Sequence, residues 1–164
     1  MRLSELPPDF HIGWYRNMPE IPATQVRLLW HSRYYDGPLD GMLLFQGKKF
    51  WFRIFRAQQI EEVRPRVDSQ GLAWRDYYVR YLVIELTETQ VSEEEHWHST
   101  FSELVGPHTD YDEAGERSHV PPKQGWQSYF TLSKEKKPLD LSENPVLGWF
   151  EALWGSVPLN EIDV

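Results

Sequence analysis

Two apolar and aromatic runs, residues 42–45 and 50–55, stand either side of Gln46-Gly47-Lys48-Lys49. Gly47 reaches positive φ without steric penalty, so this spacing predicts a β-hairpin. In the second run Phe50, Phe52 and Ile54 share one face of a strand, and Lys49, Trp51, Arg53 and Phe55 share the other. The first face reads as core. The second alternates rings with cations, so it is half covered or turned to a partner. Residues 26–30 predict another strand, joined to the hairpin by residues 34–41 with turn formers at both ends. Three adjacent antiparallel strands follow.

Residues 74–88 form the longest extended run. Tyr77, Val79, Tyr81 and Val83 point one way, and Leu82, Ile84 and Leu86 the other. A run apolar on both faces and rich in β-branched and aromatic residues predicts an interior strand. Residues 10–15 predict a short edge strand. Residues 125–132 predict a further strand, with Trp126, Phe130 and Leu132 on one side.

Helical spacing occurs at two places. Ser92 followed by Glu95 has the form of a capping box, with Glu93 and Glu94 in the first turn. Trp97, Phe101, Leu104 and Val105 then recur on one face, expected to be buried on the sheet, and Gly106-Pro107 stops the helix. Asn144-Pro145 reads as a second helix start, with Val146, Trp149, Phe150 and Leu153 on one face and Gly155 as its stop. A helical turn is expected over residues 57–63, ending near Arg64-Pro65. A loop over 65–73 follows, turning at Asp68-Ser69-Gln70-Gly71. The expectation is one α+β domain over residues 1–164, mainly an antiparallel sheet of about five or six strands with two packed helices. It carries a Pro-rich N-terminal arm, residues 1–25, and a long polar loop, residues 107–124.

Composition narrows the class. With 164 residues, 40% of them hydrophobic and 15% aromatic, the chain can bury a sizeable core. The absence of cysteine excludes disulfides, thiolate nucleophiles, cysteine zinc sites and iron–sulfur clusters. No stretch approaches the roughly 20 apolar residues of a membrane helix, and Met1 is not followed by a signal-peptide core, so a cytoplasmic protein without a membrane partner is expected.

Charge is unevenly placed within a net −8. Residues 48–80 carry eight basic and four acidic side chains; residues 85–164 carry five basic and sixteen acidic ones. Cations interleaved with rings around Trp51, Arg53 and Phe55 have the form of a single-strand nucleic-acid surface. The net negative field disfavours that partner, and internal ion pairs with the acidic half are the simpler reading.

Motifs for phosphate loops, nucleophile elbows and zinc-binding helices are absent from the sequence. A calcium loop starting at Asp36 fails at Pro38 and Gly47, and one starting at Asp110 fails at Pro121, where the bidentate Glu is required. His96, His108 and Asp110 are the weak metal candidates, within a set that also holds His98, Asp112 and His119. On a helix His96 and His98 point about 200° apart and do not share an ion easily. No metal and no cofactor is expected, and no catalytic motif is recognisable.

The leading expectation is therefore a small acidic protein-binding module that inhibits or neutralises a basic partner. Its contact residues would be Trp51, Arg53 and Phe55 together with Glu93, Glu94, Asp110, Asp112 and Glu113. The alternative is a small-molecule-binding protein or enzyme with an aromatic-lined pocket covered by the 107–124 loop.

Overall fold

The central strand, β5 (Ala73–Glu85), has neighbours along both edges, as its two apolar faces require. The computed structural model describes residues 1–6, 17–35, 37–54 and 62–159. One edge of β5 pairs throughout with β6 (Val146–Pro158), from Trp74↔Pro158 to Ile84↔Val146. The other edge is divided. β3 (Lys48–Ile54) takes Tyr81 to Glu85, and β4 (Glu62–Val67) takes Ala73 to Tyr78. Outside β3 lie β2 (Pro38–Phe45) and β1 (Val26–Tyr34). All six strands form one antiparallel sheet, accompanied by α1 (Glu88–Leu104) and α2 (Trp126–Ser133). This is the α+β architecture the hydrophobic pattern predicts.

The β2–β3 hairpin is tighter than its sequence suggests. Phe45 pairs with Lys48, leaving a two-residue loop in which Gln46 and Gly47 both have positive φ, at 51° and 75°. That geometry matches the twist of the flanking strands. The β4–β5 turn falls where expected: Asp68 Oδ1 accepts from the Gln70 and Leu72 amides, and Gly71 takes a φ of 80°.

Alternation assigns the two faces. Phe50, Phe52 and Ile54 join Leu43, Val79, Tyr81, Val83 and Phe150 in one buried cluster. Trp51 joins Met42, Leu82, Ile84 and Leu86 in a second cluster on the opposite face. α1 lies over this second face, through Val91 and an ion pair between Lys49 and Glu95.

Four local expectations are overturned. Residues 126–133, overlapping the stretch expected as a strand, form a helix. Trp126, Tyr129 and Phe130 share one face at i, i+3, i+4, and this short run fits both periods on sequence alone. Gly125 settles it by close approach: a Cβ there would sit 1.8 Å from the Leu104 carbonyl oxygen, so the start of α2 is locked against the end of α1. Residues 146–158 form a strand. Phe150, Ala152 and Trp154 face the first cluster at strand spacing, and the whole outer edge of β5 gains a hydrogen-bonding partner. Asn144 does not cap a helix; its amide donates to the Glu85 carbonyl at 2.7 Å. Ser92 lies inside α1, whose cap is Thr87: Thr87 Oγ1 accepts from the Gln90 amide at 3.1 Å and Gln90 Oε1 accepts from the Thr87 amide at 3.0 Å. Finally, Val63 belongs to β4 and not to a helical turn, and β4 runs on to Val67, into the stretch expected as a loop. The strand expected at 10–15, most of the turn at 57–63, Asp36 and Phe55 lie outside the described residues.

The edge strands β6 and β1 are each met by a short segment, the usual protection for unpaired strand groups. Along β6, the Ile21 amide donates to the Trp149 carbonyl at 2.7 Å and the Trp149 amide to the Pro19 carbonyl at 3.1 Å. Along β1, the His31 amide donates to the Thr109 carbonyl at 3.0 Å and the Tyr111 amide to the Leu29 carbonyl at 3.1 Å. The long polar loop is therefore attached to the sheet at residues 109–111.

Thr87→Ala removes a capping side chain and is expected to cost about 0.5–2 kcal/mol. Ser92→Ala, on an exposed helix position, is expected to change stability by less than about 0.5 kcal/mol. Urea denaturation of the two variants side by side checks this; equal losses would return the cap to Ser92.

Candidate functional site

β1 is bulged twice where it passes the attached loop. Leu28 pairs with Leu43 and Trp30 with Met42, leaving Leu29 extra; His31 pairs with Gly41 and Arg33 with Asp40, leaving Ser32 extra. Bulges re-aim side chains, and here Trp30, His31 and Ser32 all border one cavity. The bulge brings the β1 backbone down on Gly41, where a Cβ would meet the Trp30 carbonyl oxygen at 2.1 Å.

The cavity has a volume of about 720 Å³, within the usual range for small-molecule sites. β1 forms one wall. α1 forms a second with Glu94, Trp97, His98 and Phe101, the face expected to be closed core. Trp97 and Phe101 are half-buried there, and Glu94 is the buried residue of the helix. α2 supplies Trp126, Tyr129 and Phe130. Residues 117–122 of the long loop close over the top.

Ring contacts organise the interior. Phe101 meets Tyr129 edge-on at 4.9 Å, Trp126 edge-on at 5.5 Å and His108 at 5.4 Å. Trp126 in turn stacks on Phe130 at 5.8 Å. On the β1 side, Trp30 and His98 stack at 4.1 Å with 7° between planes. Such pairs contribute beyond their buried area and hold flat surfaces at fixed spacing.

The polar groups fall into satisfied pairs and unsatisfied ones. His98 Nε2 and Asp110 Oδ1 are 2.7 Å apart, and Lys136 Nζ donates to Glu94 Oε1 at 2.9 Å. His31 Nδ1 and the Tyr111 hydroxyl are hydrogen-bonded at 3.1 Å. Burial, reinforced by the Arg117 and His108 charges, pushes the His31 imidazole down to about 4. Burial pushes the Tyr111 hydroxyl up to about 12, so the pair is uncharged at neutral pH. His108 is also held below its ordinary value, first by burial and then by Arg117. The Arg117 guanidinium lies over the Tyr34 ring at 4.8 Å and has no ion-pair partner among the described residues. His108 Nδ1 and Thr109 Oγ1 are buried without a hydrogen bond.

Ser102 Oγ lies 3.4 Å from His98 Nε2, the same nitrogen that meets Asp110. A nucleophile relay needs the hydroxyl and the carboxylate on opposite ring nitrogens, so this trio is not one. Among the described residues no three His, Asp or Glu side chains converge as a metal site. His96 is exposed and packs edge-on against Trp97, whereas His108 packs against Phe101; of the weak candidates Asp110 meets an imidazole, that of His98.

The contact residues named from sequence are dispersed. Trp51 is 3% exposed and is core, because α1 and the N-terminal turn cover its face. Arg53 is half-buried opposite Asp40. Glu94 is paired with Lys136 at the cavity wall and Asp110 with His98; Asp112 accepts from the Glu116 amide at 2.9 Å in a turn; Glu93 and Glu113 remain exposed. The basic stretch is largely paired within the protein: Lys48 with Glu85, Lys49 with Glu95, Arg64 with Glu151 and Arg66 with Asp76. Sequence reasoning missed Trp30, His31, Phe101 and Arg117 as one site. Their grouping depends on two bulges and a loop pairing that leave no periodic trace. Among the described residues no helix is long and apolar enough to cross a membrane.

The neutral His31 predicts a pH signature. An unfolded imidazole takes its proton near 6.5, whereas the folded one resists down to about 4. The contribution is therefore full above that upper value, declines as pH falls through the window, and is level below it. His31→Asn is expected to flatten this part of the stability profile, so the gap between the two proteins narrows as pH falls. Parallel profiles by urea denaturation would show His31 titrating normally. Compared with known proteins, the chain matches no protein-family model, no curated protein and no solved structure.

Proposed function

We propose that this protein binds a small, flat organic molecule in the cleft between β1, α1 and α2. The cavity of about 720 Å³ walled by rings carries the reading. Planar rings at fixed angles offer both stacking and edge contacts, and a planar ligand loses little conformational freedom on entering. The β1 bulges and the Gly125 approach hold the walls, so the site is largely formed before the ligand arrives. The acidic-module reading has weaker support, since Glu94, Asp110 and Asp112 are engaged inside the fold. Among the described residues Ser102, His98 and Asp110 do not form a nucleophile relay, and binding is the function the cleft's geometry favours.

Titrating planar bicyclic probes into the protein, with indole N–H signals followed by NMR, tests this. Signals of Trp30, Trp97 and Trp126, assigned by Trp→Phe variants, are expected to move together while that of the core Trp51 stays. Trp126→Ala removes a ring that is 40% exposed, so the fold should persist while affinity falls about tenfold, as for a lost stacking contact. If no planar probe moves these three indoles at millimolar concentration, the cleft is not a ligand site.

Gly41→Ala is expected to weaken both stability and probe binding, because the β1 bulge must shift away from the added methyl, at a cost of roughly 1–3 kcal/mol. A variant with wild-type stability and affinity would mean the bulge does not shape the site.

A further inference from the structure

We infer that the ligand of this cleft is an aromatic acid, a planar ring system bearing one carboxylate, whose charge is received by Arg117, which borders the cavity together with His31 and His108. The inference rests on the cleft reading above and adds the ligand's charge to it. In a protein of net charge −8, Glu94, which borders the cavity, is already engaged with Lys136, and nearby Asp110 with His98. Arg117 borders the same space, and among the described residues its guanidinium has only the Tyr34 ring for company. A guanidinium over a ring keeps its edge N–H groups free, and that fork matches a carboxylate in two parallel hydrogen bonds.

The neighbours fit the same chemistry. His31 and His108 border the cavity, and each lies close enough to Arg117 to feel its charge. Around His31 stand Tyr34, Tyr111, His98, Asp110, His108 and Arg117; around His108 stand Phe101, Trp126, Asp110 and Arg117. The one carboxylate in both groups, Asp110, is bonded to His98. An anion beside Arg117 would offset the repulsion that Arg117 exerts on both imidazoles, so each would take up a proton more readily. Binding is then coupled to proton uptake and strengthens as pH falls. A single guanidinium with two neutral imidazoles suits one negative charge better than a phosphate dianion, which calls for more donors. The rings that wall the cavity receive the rest of the molecule.

The test uses 2-naphthoate, its neutral amide 2-naphthamide and 2-naphthyl phosphate, titrated calorimetrically into the whole protein and into Arg117→Gln. The wild-type protein is expected to bind the acid about tenfold or more tighter than the amide, as for a hydrogen bond to a charged group. Arg117→Gln is expected to abolish that preference, and wild-type affinity for the acid, unlike that for the amide, should rise toward low pH. Thermal unfolding of the variant reports its fold, and the wild-type comparison of acid with amide stands without it. Equal affinity for acid and amide overturns the inference and leaves the cleft reading standing. Tighter binding of the phosphate than of the acid overturns the carboxylate assignment. Failure of all three probes overturns the inference and the cleft reading together.

Discussion

An edge strand has a row of amides and carbonyls that need partners, and in this protein β1 finds them in residues 109–111. The rest of the site depends on that pairing. It sets Asp110 opposite Trp30, within reach of His98 on α1, and so ties three separate elements at one point. It also places Tyr111 on His31 and starts the small hairpin that carries Arg117, in which the Ser118 amide donates to the Asp110 carbonyl at 2.8 Å. Without this backbone pairing the cavity would be an open trough between sheet and helices. The need to satisfy β1 thus positions a cover over the rings as a by-product.

Charge follows a similar division of labour. The basic stretch of the sheet is balanced mostly by acids of the C-terminal half, with Arg64 and Arg80 both reaching Glu151 across β4, β5 and β6. Rings of the same region lie under those cations, Tyr78 under Arg64 and Trp74 under Arg66. What looks along the chain like an exposed array of cations and rings is a self-satisfied patch of sheet. Among the described residues, Arg117 is left with a ring and no acid, on a loop whose own sequence is acidic.

The strand pattern was legible wherever alternation ran long enough to exclude a helix. Residues 74–88 carry apolar residues on both faces, and no helical stripe accounts for them. Turn chemistry at Gly47 and at Asp68 to Gly71 was equally readable, because each residue type there has a specific conformational reason. Legibility failed at 125–132 and 144–153, where apolar residues fit periods of both 2 and 3.6. At those places the outcome was decided by partners distant in sequence: Leu104 against Gly125 for the helix, and the open edge of β5 for the strand. The pocket itself was foreseen only as rings under a loop. Its members were not, since bulges at Leu29 and Ser32 re-aim side chains that simple alternation would send to opposite faces.

The top of the cleft has a property the walls lack. Between Ser118, whose amide is bound to Asp110, and Lys123, whose amide is bound to Val105, lie His119, Val120, Pro121 and Pro122, all exposed. Two of these four have no amide hydrogen to place, so their identity is weakly constrained by backbone hydrogen bonding. Replacements there would alter the rim of the cleft while leaving strand register, helix contacts and the His31–Tyr111 pair intact. Descendants of this chain could therefore change which molecule they select by drift in a four-residue stretch, with the folding problem already solved elsewhere.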